Sequence, residues 1–151
     1  MLIRLYDLPS AAVPDGHPDV TLRRPFAPEH DVVLDWVAEH FTPGWRSEAQ
    51  VALGNRPASL VIAIHGESIV GFCCHDAFAR GFVGPIGVHE KARGSGVGAA
   101  LLLTCLHEMR QNGYGYAVAG AVGTPEFFAR VAGATAIEGS SPGLYAGMLK
   151  G

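Results

Sequence analysis

The chain predicts a mixed α/β (α+β) sheet protein, on three observations. Apolar residues recur at helical spacing before residue 58 and at strand spacing after it. Seventeen of the 20 glycines fall from Gly66 onward, among apolar residues, as short strands joined by tight turns require. A strand ending near Val88 runs through a glycine-rich loop into a long apolar helix, so helices are interleaved with the later strands.

The elements follow in order. Residues 1–18 carry Pro9, Pro14 and Pro18 with little periodicity and read as an extended or partly ordered arm before a single domain over 19–151. Val20–Arg24 is a short strand stopped by Pro25. Pro28 opens a helix in which Val32, Val33, Trp36, Val37 and Phe41 are helically spaced, and Pro43–Gly44 ends it. A second short helix starts at Ser47, with Glu48 in its first turn and Gly54 beyond its end. Ser59–Ile64 and Ile69–Phe78 flank the turn His65–Ser68 as an antiparallel hairpin. Phe82–Val88 is a strand interrupted by Gly84, Pro85 and Gly87, residues that suit a bulge. Ser95–Gln111 is a helix closed by Asn112–Gly113, and Tyr116–Val122 is a strand. Thr124-Pro125-Glu126 starts a short helix that stops before Gly133. Thr135–Ile137 and Leu144–Leu149 read as two closing strands.

Composition bounds the function. A 15.9 kDa chain fits one domain, which buries roughly 70% of its unfolded surface without a disulfide or metal. The formal charge is −3, only two of the cations are lysines, and no basic stripe occurs, which excludes a binder of nucleic-acid backbones. Cys73, Cys74 and Cys105 form no disulfide framework, so a reducing compartment, the cytoplasm, is expected. The N-terminus lacks a signal-peptide pattern, and the apolar run Val97–Leu106 is too short to span a bilayer.

Chemistry concentrates in Val88-His-Glu-Lys-Ala-Arg93-Gly94-Ser95-Gly96-Val97-Gly98-Ala99. Free N–H groups and the dipole at a helix start favour an anion, and Arg93 suits phosphate oxygens. The loop therefore fits a diphosphate. It is no P-loop, because no Gly-Lys dipeptide occurs. Gly94-Ser-Gly-Val-Gly-Ala99 matches the dinucleotide fingerprint of the Rossmann fold on paper. However, His89–Arg93 separates strand from glycine, and Tyr116–Val122 ends without an acid for a ribose.

Arg93-Gly-Ser-Gly96-Val-Gly98 resembles the R-x-x-G-x-G signature of the GCN5-related N-acetyltransferase (GNAT) superfamily, and the resemblance extends in element order from about Ser59 to Leu149. Ala99–Gln111 resembles the family's pyrophosphate-binding helix, and Glu126–Ala134 its later helix. The resemblance implies a mostly antiparallel sheet of about six to seven strands flanked by about four helices. It implies acetyl-CoA as co-substrate, with no metal. The pyrophosphate would lie on the backbone of Gly94, Ser95, Gly96, Val97 and Gly98 beside Arg93, the pantetheine arm along Ile86, Gly87 and Val88, and Phe127 and Phe128 beside them. An N–H freed by the bulge would face the acetyl carbonyl.

The implied acceptor is a primary amine, of a small molecule rather than a protein N-terminus; nucleic acid and membrane are not expected as partners, and homodimerisation is left open. Asp76, Glu126 and Tyr145 are the candidates for proton transfer. Phe128 stands where many members carry a thiol-protonating tyrosine, which leaves open a module that binds acyl-CoA without transferring it. Trp45-Arg46 borders the acceptor side in this resemblance.

Overall fold

The computed structural model describes residues 1–10 and 19–150. Six strands form one open sheet: β1 (Leu2–Arg4), β2 (Val20–Arg23), β3 (Leu60–His65), β4 (Ser68–His75), β5 (Phe82–Val88) and β6 (Tyr116–Ala119). Their order is β1-β6-β5-β4-β3-β2, antiparallel except at the β5–β6 contact. Four α-helices cover it: α1 (His30–His40) and α2 (Pro43–Gly54) on one face, α3 (Val97–Gln111) and α4 (Pro125–Ala132) on the other. None of the described helices is long and apolar enough to cross a membrane.

Each face carries its own apolar layer. Cys73 joins the layer under α3 and Cys74 the layer under α1 and α2, as strand alternation requires. The bulge expected around Gly84–Pro85 is present. Cys73 pairs with Ile86 and His75 with Val83, so β5 carries one residue more than β4 over that interval. Val83 and Ile86, three apart, consequently pack on the same face, which a regular strand would forbid. Gly87 lies outside the bulge and has another reason to be glycine: a Cβ there would sit 2.5 Å from the Phe41 ring.

Three expectations need correction. The first residues are not an arm apart from the domain. Leu2–Arg4 pairs with β6, Ile3 and Leu5 are fully buried, and Leu2 also bridges Thr135. Apolar Ile3 and Leu5 bracket one polar residue, a strand signal too short to outweigh the prolines behind it; the rest of the expected arm, 11–18, lies outside the described residues. The two closing strands do not form: Thr135 makes a single bridge, and Gly143–Tyr145 is a 3₁₀ turn. β1 occupies the place beside β6 that a closing strand would take. Finally, α2 begins at Pro43, not Ser47. The Thr42 hydroxyl accepts from the Trp45 N–H at 3.1 Å, and Pro43 sits at the first helical position, where its missing donor costs nothing.

Candidate functional site

β5 and β6 run parallel but pair only at Phe82–Val118 and Val83–Ala119. β6 then stops, because Ala121 adopts a left-handed backbone (φ 50°) that ends the extended run expected to reach Val122. The strands splay, and a groove opens along the β6 side of Gly84–Val88.

One end of the groove, about 410 Å³, lies against the start of α3. Gly94 (φ 79°) and Gly96 (φ 87°) take left-handed backbone that side chains adopt only with strain, and Gly96 caps α3. The orphan N–H groups of the first helical turn and the helix dipole therefore meet the groove. Arg93 donates from Nε to the Val88 carbonyl at 3.0 Å, which fixes its guanidinium at the rim. Opposite stands Arg130, a cation not expected from the sequence, with its guanidinium 5.8 Å from the Phe127 ring centroid. The signal was present: Phe127 and Arg130 are three apart on α4 and share a face.

Ile86, Gly87, Val88, Arg93, Gly94, Gly96, Gly98 and Phe127 all line this end. Ser95 and Val97 enter differently. The Ser95 hydroxyl donates to the Ala92 carbonyl, and the Val97 side chain is fully buried in the core, so only their backbone is at issue. A pyrophosphate fits this construction: left-handed glycines, a helix start and two guanidiniums converge where a bulky side chain would obstruct.

The other end, about 650 Å³, is walled by side chains. Phe41 and Trp45 stack at 5.0 Å on the helical side. Phe78 and Tyr145, which also line it, stack at 4.5 Å, and Phe82 and Phe128 line it as well. Among the described residues, Glu48 is the only carboxylate lining it. It is half-buried, and burial pushes its pKa above the usual carboxylate value. Starting α2 at Pro43 places Trp45 and Glu48 three residues apart on one face; reading the helix from Ser47 left Glu48 as a mere dipole charge. Arg46 does not line the groove.

Tyr145 is brought to this wall by the 3₁₀ turn. Its oxygen lies so close to the Gly120 backbone that a Cβ at 120 would overlap it. Burial, then the nearby Glu48 charge, raises its pKa, so the phenol stays protonated at neutral pH.

Asp76 and Glu126 are not brought into the groove. Asp76 sits at the end of β4 with φ 53° and accepts from the Gly81 N–H and Tyr114 hydroxyl at 2.8 Å each, while His75 Nδ1 meets its other oxygen at 3.0 Å. That is a strand-end network, not a poised base. Burial opposes ionisation of Asp76, but these hydrogen bonds outweigh it and lower its pKa. His75, 2% exposed, also meets Glu108 of α3 at 3.0 Å. Glu126 is exposed in the first turn of α4, a charge that suits the helix dipole.

Comparison with known proteins fits this geometry. The family model described as "Acetyltransferase (GNAT) family" matches residues 23–131. No curated protein matches the chain. Among solved structures, a GCN5-related N-acetyltransferase from Sphaerobacter thermophilus is 23% identical with a TM-score of 0.67, over 86% of this chain and 45% of that one. A Trypanosoma brucei acetyltransferase is 23% identical, TM-score 0.59, over 80% and 95%. A Brucella melitensis GNAT family acetyltransferase in complex with acetyl-CoA is 19% identical, TM-score 0.53, over 74% and 82%. The chain thus spans less than half of the first of these structures, and identities this low speak for the fold alone.

Proposed function

The chain belongs to the GNAT acetyltransferase family, and from that premise we propose that it transfers an acetyl group from acetyl-CoA to the nitrogen of a small-molecule primary amine. The observation that carries this is two adjoining cavities that share Ile86, Gly87, Val88, Arg93 and Thr124, with an anion cradle in one and a carboxylate of raised pKa and a protonated phenol lining the other.

Acetyl-CoA would supply an electrophilic thioester carbonyl. Gly94–Gly98 backbone, Arg93 and Arg130 would hold its phosphates, and the unpaired side of Ile86–Val88 would take its arm as a sheet takes an added strand. The amine nitrogen must be neutral to attack the carbonyl carbon. Glu48 takes the amine's proton, and its raised pKa makes it a better base than an exposed carboxylate. The N–C bond forms, the C–S bond breaks, and Tyr145 returns a proton to the departing sulfur. An acceptor that enters as an ammonium first loses one proton to solvent; the second, released as the N–C bond forms, goes to Glu48 and matches the one Tyr145 gives, so the charge of the pair is restored by transfer between them or through solvent.

A thiol-release assay with acetyl-CoA and a panel of primary amines tests the reading. Turnover that falls about 100-fold or more in Glu48→Gln, with acetyl-CoA affinity kept, is the expected result. Tight acetyl-CoA binding with no turnover on any amine would instead make the domain a binding module.

A further inference from the structure

The acceptor end of the groove carries information about the amine itself. Its lining is aromatic: Phe41 just after α1, Trp45 in α2, Phe78 in the turn after β4, Phe82 in β5 and Tyr145 in the C-terminal turn. Among the described residues, Glu48 supplies the only negative charge lining this cavity and Arg93 the only cation, at the end shared with the phosphate cradle. An acceptor's own carboxylate would therefore enter without a counter-charge, and burying an unpaired carboxylate is strongly unfavourable. Among the described residues, side-chain hydrogen-bonding groups besides Arg93 are few: Thr42, the Trp45 indole, Glu48, Thr124 and Tyr145. A sugar or a peptide backbone would leave several polar groups unsatisfied. An ammonium, by contrast, is favoured by aromatic faces and by Glu48, and a flat apolar body suits a cavity lined by two stacked aromatic pairs.

We propose that the acceptor is a compact primary amine with an aromatic body and no carboxylate, an arylalkylamine in chemical class, selected by the Phe41–Trp45 and Phe78–Tyr145 walls with Glu48. This rests on the transferase reading above and adds the substrate class to it.

The test pairs turnover with binding. Thiol release is measured with phenethylamine, phenylalanine, spermidine and glucosamine, and binding of each is measured by calorimetry on the CoA-loaded protein. Phenethylamine should show kcat/KM about 100-fold above phenylalanine, which differs from it by one carboxylate. It should also exceed spermidine and glucosamine. Trp45→Ala should lower kcat/KM for phenethylamine about tenfold and leave acetyl-CoA affinity unchanged. If phenethylamine binds preferentially but is not acetylated, the substrate class stands and the transferase reading falls. If phenylalanine, spermidine or glucosamine is acetylated as well or better, the class is overturned and the transferase reading stands. Binding of none of the four overturns the class.

Discussion

At its donor end the groove is made largely from one stretch of chain, the end of β5, Arg93, two left-handed glycines and the first turn of α3, with Phe127 and Arg130 of α4 added to it. At its acceptor end it is made of side chains from α2, β5, the turn after β4, the segment after β6, α4 and the C-terminal 3₁₀ turn. Backbone cannot vary with the substrate, so the donor end suits the part of the reaction that stays constant. Side chains from separate places can be exchanged one by one, so on the proposed reading the acceptor end is where specificity would reside.

This contrast can be broken most decisively at Gly96. Its φ of 87° makes a β-branched replacement strained just where the phosphates would sit. Gly96→Val should weaken acetyl-CoA binding by about 100-fold or more in calorimetry, while circular dichroism shows a retained fold. Unchanged affinity would mean that the cradle is elsewhere.

At the acceptor end the same magnitude should appear in kcat rather than in affinity. Glu48→Gln should lower kcat about 100-fold. In the native protein, activity should fall with acidity as Glu48 protonates, at a pH above the ordinary carboxylate value of ~4.3 because burial raises its pKa. The variant should lose that acid limb. Tyr145→Phe should reduce kcat about tenfold, since water can protonate a thiolate in its place. An unchanged rate would remove Tyr145 from the chemistry.

Arg130→Ala sharpens the donor side. KM for acetyl-CoA should rise several-fold, and the difference should shrink in high salt, as expected of an exposed cation on phosphate.

The smallest catalytic effect is expected at the His75–Asp76–Glu108 network, behind both ends. Asp76→Asn should cost on the order of 1–3 kcal/mol of stability and leave kcat intact. Its pH dependence has two signs. Burial opposes protonation of His75, but its carboxylate partners raise its pKa on balance, so its stabilisation is full below ~6.5 and is lost as pH rises through the folded value. Asp76 is depressed, so its stabilisation is full above ~3.9 and is lost as pH falls through its lower folded value. Unfolding temperature should peak in mild acid, and His75→Gln should flatten the alkaline decline.

The unequal legibility of the two ends follows from how each is built. The donor loop is continuous in sequence, and Arg93, Gly94, Gly96 and Gly98 announce a tight, anion-binding turn without reference to the rest of the chain. The bulge at Gly84–Pro85 was legible for the same reason. Glu48 was not, because its proposed role depends on a helix phase set by Thr42 and Pro43 and on lining residues as distant in sequence as Phe78 and Tyr145. Asp76 illustrates the converse. The expected strand Ile69–Phe78 ran through it, whereas β4 ends at His75, and no local pattern says that Gly81, Tyr114 and His75 already occupy its oxygens. The C-terminal strands failed because β1, the most distant segment, fills the place beside β6.

That last pairing sets the order in which the molecule can be completed. Leu2–Arg4 is translated early, yet its partners are Tyr116–Val118 and Thr135. At roughly 5–20 residues per second, Ile3 and Leu5 wait about 6–25 s on the ribosome before the strand that covers them exists. The sheet therefore closes last at its earliest-made edge. Slowing elongation before residue 116 should lengthen the exposure of that edge to proteolysis and chaperones without altering the finished fold.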